Sequence, residues 1–205
     1  AGKVALSGNN LVVRRTPKPL DKVAVVTLGG SGHEPALSGY VGEGMLDISV
    51  PGEVFAAPGP PRVVEALRAA KRDAGILLVV LNHAGDVMSA KLALDMAKRE
   101  GITVRQVLTH EDISGGSREN PDDRRGLAGC LLVIKIAGAA AEQGRPLEEC
   151  AALAERMEAN MATLAVALSG ATHPSTGEVI AEIPDGMMVV GMGQHGEAGG
   201  GTQPL

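Results

Sequence analysis

The sequence predicts an α/β layered sandwich, with a mainly parallel but mixed sheet flanked by helices and a C-terminal β-ribbon. Three observations carry this. Residues 23–28, 75–81 and 103–108 are β-branched or aliphatic runs of strand length. Helical patterns separate them, and strand–helix–strand order implies crossover connections and parallel pairing. The chain of 205 residues, 44% hydrophobic and 21% charged, can bury a sizeable core as one domain.

Each element has a local reason. Residues 61–72 place Val63, Val64, Leu67 and Ala70 on one face, with proline near the start, where its missing N–H costs little. Residues 87–100 carry an apolar stripe of Met88, Leu92 and Met96, and Lys98, Arg99 and Gly101 make a good helix stop. Residues 127–143 are apolar nearly all round and read as a buried helix. Leu147, Cys150, Leu153, Met157, Met161 and Leu164 recur every three or four positions, which is a helix face packed on the core. Residues 179–183 and 187–191 flank Pro184-Asp185-Gly186 and read as a β-hairpin or ribbon.

Composition excludes several functions. The net charge is −5 with no basic cluster, and Tyr40 and Phe55 are the only aromatic residues, so no nucleic-acid partner is expected. No apolar run reaches the roughly 18–20 residues of a membrane span, so no membrane association is expected. Cys130 and Cys150 have neither disulfide-framework nor zinc-site spacing. They read as buried, reduced thiols of a cytoplasmic protein. Glu34 and Glu197 stand next or close to a histidine, but no H-x-x-x-H or H-x-x-E-H spacing occurs, and no metal is expected.

Three loops carry the candidate chemistry. Gly29-Gly30-Ser31-Gly32-His33-Glu34-Pro35 follows the first strand: its small residues let backbone N–H groups approach an oxygen-rich ligand, and it ends on a titratable ring. It matches neither a Walker loop nor the dinucleotide fingerprint. Asn82-His83-Ala84-Gly85-Asp86 follows the second strand, and Gly193-Gln194-His195-Gly196-Glu197 follows the ribbon. Ligands of open α/β sheets sit at the carboxyl ends of strands, so the first two loops can share a crevice. Two histidines and an aspartate, His33, His195 and Asp86, can supply a nucleophile, a base and an orienting donor. The plainer readings are structural. Asp86 can cap a helix beginning at Val87. His110-Glu111-Asp112 reads as a solvated turn. Arg124-Arg125 opens a helix and pairs with Asp122 or Asp123. His83, His110 and His173 have weaker contexts.

The motifs together resemble the dihydroxyacetone kinase substrate-binding (K) subunit family. The matching segments are Gly29 through Pro35, Gly39-Tyr40-Val41-Gly42-Glu43-Gly44-Met45-Leu46, Pro51-Gly52-Glu53-Val54-Phe55, Asn82 through Asp86, Arg124-Arg125-Gly126, Ala137-Gly138-Ala139-Ala140-Ala141-Glu142 and Gly193 through Glu197. They occur in the family's order and cover almost the whole chain. The resemblance implies a short-chain ketose or aldose substrate such as dihydroxyacetone, held as a covalent hemiaminal on His195. His33 and Asp86 would bind its hydroxyls and assist proton removal, with Gly30, Ser31 and Gly32 as substrate-contacting positions. No cofactor is expected on this chain; Mg²⁺ and ATP or ADP belong to a helical L-type partner. Leu81 stands where the family often has lysine, and His83 where tyrosine is common, so both are possible substrate contacts. The family's chain runs beyond Leu205 into a smaller domain, so residues 1–205 read as a first domain, truncated.

Two other readings stay open from sequence: an isomerase of small sugar phosphates on the same site, and a non-catalytic, ketose-responsive regulatory paralogue. A homodimer is expected, with the strand edges of residues 179–191 paired across a two-fold axis.

Overall fold

The computed structural model describes residues 2–117 and 119–205. A six-stranded sheet is built from β1 (Val4–Ser7), β2 (Leu11–Arg14), β3 (Ala24–Ser31), β4 (Ile48–Val54), β5 (Ile76–Leu81) and β6 (Val104–Thr109), in the order β1-β2-β4-β3-β5-β6. Strands β4, β3, β5 and β6 are parallel; β1 and β2 form an antiparallel hairpin added to the edge through β2–β4. The mixed sheet is thus as predicted, but three of its strands carry no strong sequence signal. The hairpin β1–β2 is short and mostly solvated, and β4 contains Pro51 and Gly52, which read as a loop.

Helices cover both faces. Alternation along β3 and β5 sends Ala24, Val26, Leu28, Ile76, Leu78 and Val80 against α1 (Pro60–Ala69) and α2 (Ala84–Arg99). The intervening Val23, Val25, Leu77, Val79 and Leu81 pack against α3 (Cys130–Glu142) and α4 (Leu147–Ala159). A sheet buried on both sides reads as continuous aliphatic runs, which is why β3 and β5 stand out in the sequence. Cys130 at the start of α3 and Cys150 on α4 are buried free thiols in this second core, and burial pushes Cys130 up to about 12.

Four expectations need correction. Helix α2 begins three residues before position 87, so its buried face is Asp86, Ser89, Ala90, Ala93 and Ala97. The Met88, Leu92 and Met96 stripe faces solvent, at 66%, 48% and 37% exposure. Small residues face the sheet because α2 packs closely against both α1 and β5. Leu164 lies beyond the end of α4 and is exposed. Residues 179–183 form no strand. Strand β8 (Met187–Val190) pairs instead with β7 (Val166–Ala167) on one side and β9 (Thr202–Pro204) on the other. Both edges of the inner strand are therefore filled, which removes the reason given for dimerisation. Finally, His110-Glu111-Asp112 is no solvated turn: Glu111 and Asp112 are fully buried, and His110 pairs with Glu158.

Candidate functional site

Strands β3 and β5 are neighbours, yet the chain leaves β3 toward β4 on one side and returns to β5 on the other. This is the switch point where α/β sheets open a crevice at their carboxyl ends. A cleft of about 350 Å³ lies there, lined by Gly30 from the end of β3, by Phe55, Ala56 and Ala57 after β4, by His83 through Asp86 after β5, and by Gln194, His195 and Glu197. The third loop thus joins the first two.

The imidazoles form a directed chain. His195 Nδ1 lies 2.8 Å from Glu197 Oε1, and its Nε2 lies 3.1 Å from His33 Nε2. A carboxylate only accepts, so the proton of a neutral His195 sits on Nδ1 and its lone pair on Nε2; His33 Nε2–H is then the donor to that lone pair. The Glu197 carboxylate also accepts the His195 backbone N–H at 2.9 Å. These hydrogen bonds outweigh its partial burial and hold it at about 2, so it is an anion at neutral pH. Burial, and after it the His195 ring, lower His33, so it is neutral.

Backbone geometry presents His195. Gly193 N–H donates to Glu197 O at 2.9 Å and Gly196, at φ +81°, closes a tight turn through Gly193 O. A side chain on Gly193 would collide with Glu197 and Arg125. Arg125 anchors this turn. Its Nε donates to Asp112 Oδ2 at 2.7 Å and its Nη2 to Gly191 O at 2.7 Å, while Nη1 lies 4.0 Å from Glu197. Arg125 therefore belongs to the loop after β6, pairs with buried Asp112, and opens no helix, correcting the pairing expected with Asp122 or Asp123.

Asp86 lies in the first turn of α2, whose N-cap is His83, so Asp86 does not cap it. The residue is 7% exposed, and its buried Oδ1 has no hydrogen-bond partner among the described residues. Burial alone raises it from 3.8 to about 7, the range of a general base at neutral pH. His83 Nε2 lies 2.8 Å from Gly126 O and 3.2 Å from Gln194 Nε2, and burial lowers its pKa.

Not every candidate faces the cleft. Ser31 Oγ donates to Gly52 O at 2.7 Å, tying β3 to β4, and Gly32 N–H donates to the Glu34 carboxylate. Leu81 is buried with α3 and α4. Phe55, at φ +58°, was not singled out, yet its ring packs on His33 with centroids 5.0 Å apart and on His173 at 5.2 Å. The roles of Glu197 and Arg125 were missed too. The close spacing of His195 and Glu197 was a usable sign of an imidazole orienter. Nothing in the sequence joins Arg125 to Asp112 and Gly191.

The sequence matches the Dak1 domain family over residues 2–205. The chain belongs to the Dak1 domain family. This Dak1 domain is 45% identical over 194 residues to the dihydroxyacetone-binding subunit DhaK of a PTS-dependent dihydroxyacetone kinase from Listeria innocua, covering 95% of this chain and 59% of that one. In structure it is similar to the dihydroxyacetone kinase of C. freundii, with a TM-score of 0.89 and 39% identity over 98% of this chain and 37% of that chain. It is also similar to the dihydroxyacetone kinase operon co-activator Dha-DhaQ, with a TM-score of 0.91 and 30% identity over 99% of this chain and 62% of that chain. The Dak1 domain thus spans under two thirds of these relatives. Its fold is the one they share, and among the described residues no helix is long and apolar enough to cross a membrane.

Proposed function

We propose that this chain is the substrate-binding part of a dihydroxyacetone-type kinase, holding a short-chain ketose on His195 while an L-type partner delivers the phosphoryl group. The observation that carries this is the Glu197–His195–His33 chain at the mouth of a cleft that also holds Asp86.

The chemistry follows from the tautomer. The Nε2 lone pair of His195 attacks the carbonyl carbon and forms a C–N bond. The carbonyl π pair moves to oxygen, which takes a proton from water in the cleft, with His33 Nε2–H as its hydrogen-bond donor. The Nδ1 proton is released through Glu197, so the adduct is neutral and nothing is oxidised or lost. A polyol such as glycerol offers no electrophilic carbon and is rejected. Asp86 then accepts the proton of the hydroxyl that attacks the phosphoryl donor. Mg²⁺ and ATP or ADP are held by the partner. We place the protein in the cytoplasm, as one domain of a longer substrate-binding chain. Native mass spectrometry with dihydroxyacetone tests the reading: the expected mass gain is that of the whole ketose with no water lost, and glycerol gives none.

The likeness to the operon co-activator favours a second reading, a ketose-binding regulator. Such a protein forms the same adduct but supports no turnover with any L-type partner. A homodimer is proposed too, through the small sheet, where Val166 and Leu168 are 52% and 60% exposed. A monomer at micromolar concentration in sedimentation contradicts it.

A further inference from the structure

One potential ligand atom from each of His83, His195 and Glu197 lies within 4.8 Å of the other two. The residues arrive from two loops, one after β5 and one after β8, so no sequence spacing announces them. Two imidazole nitrogens and one carboxylate are a donor set of zinc sites with three protein ligands, which keep a fourth position open. Here His83, His195 and Glu197 all line the cleft of about 350 Å³, which leaves room for that position. The His83 ring is also held as metal-binding histidines are held. Its Nε2 lies 2.8 Å from the Gly126 carbonyl, a backbone contact that orients the ring, with the Gln194 amide 3.2 Å from the same nitrogen.

We propose that His83, His195 and Glu197 form a site for a divalent transition ion of the zinc type, and that its occupancy silences His195 as a nucleophile. A neutral imidazole has one proton and one lone pair. Zinc bound at His195 Nδ1 moves the proton to Nε2, where it donates to His33 and reverses that hydrogen bond. Zinc bound at Nε2 takes the lone pair directly. Neither state can attack a carbonyl carbon. Only Zn–N and Zn–O bonds form, and no group is oxidised or reduced. Ligand distances of about 2.0–2.2 Å require the three side chains to draw together by rotation. Nitrogen donors favour zinc over magnesium, which prefers oxygen and keeps its water. The silencing half rests on the reading of His195 under Proposed function; the metal site does not.

The test is calorimetric titration of zinc chloride into the metal-free chain, with cobalt(II) as a spectroscopic probe. The expected result is one zinc per chain at micromolar affinity or tighter, no magnesium binding, and a visible cobalt absorption band. His83→Phe and Glu197→Gln should each weaken zinc by about tenfold or more with the fold intact by circular dichroism. Glu197→Gln, at a partly exposed position, carries the test if His83→Phe does not fold. Absence of zinc binding, or affinity unchanged in the folded variants, overturns the site. Zinc-loaded protein that still gains the mass of dihydroxyacetone overturns the silencing. Zinc binding that depends on His83, in a chain that forms no ketose adduct when metal-free, supports the site and overturns the functional reading instead.

Discussion

Asp86 is a residue whose ionisation works against the fold. A folded-state value near 7 against 3.8 means that the native state holds a proton the unfolded chain has already lost between those values. Stability therefore falls as pH rises through that window. At about 1.36 kcal/mol per unit, the ionised side chain costs at most about 4 kcal/mol above pH 7. Asp86→Asn should stabilise the protein at pH 8 and change it little at pH 4, measured by urea denaturation. A pH-independent effect contradicts the burial argument. The same variant should still form the ketose adduct but slow phosphoryl transfer by about 10²-fold or more in the reconstituted kinase. Glu197 acts through another residue. Glu197→Gln lets the amide present either N–H or C=O to Nδ1, so the tautomer is no longer fixed, and adduct formation should slow by about tenfold while the pH profile shifts. The loops that carry His33, Asp86 and His195 stood out in the sequence because small residues flank each polar group. For Glu197 the sequence carried only the close spacing to His195, since two residues in a glycine-rich loop meet only once Gly193 and Gly196 fold the turn.

At the scale of elements, the loop after β6 decides how the His195 turn is held. Asp112 is fully buried and paired with Arg125, which reaches across to Gly191 at the end of β8. Arg125→Met leaves an unpaired buried carboxylate and should cost about 3–5 kcal/mol in chemical denaturation. It should also weaken the ketose adduct, and Arg125→Lys should rescue only part of this, because one ammonium cannot reproduce the forked contacts. Helix α2 gives the opposite case. Met88→Ser with Leu92→Ser should change stability by less than about 1 kcal/mol, since both side chains face solvent. A loss several times larger places that stripe in a core. These contrasts show where sequence reading failed. A stripe of methionine and leucine at helical spacing has the period of a buried face, but the alanines and serine at the intervening positions fit the closer contact with β5. Residues 179–183 have strand-like composition, yet β7 and β9 already fill both sides of β8. Ile180 N–H instead donates to Ala171 O at 2.8 Å in an irregular loop.

At the scale of the molecule, the two cores on either face of β3 and β5 were readable because parallel strands buried on both sides are aliphatic throughout. The antiparallel edge was not, because β1 and β2 are short and β4 carries proline and glycine. The rigid layers matter to function because they bring three loops, the first and last 162 residues apart at His33 and His195, to one cleft. His33 and His195 meet at 3.1 Å only through that arrangement. In the function proposed above, this meeting makes His195 Nε2 a nucleophile toward a ketone. Carbon NMR with dihydroxyacetone isotope-labelled at its carbonyl carbon tests it most directly. The bound carbon should leave the carbonyl region for the range of a carbon bearing oxygen and nitrogen, and His195→Ala should abolish this signal. A bound ketose whose labelled carbon stays in the carbonyl region, or a full-strength adduct in His195→Ala, contradicts it.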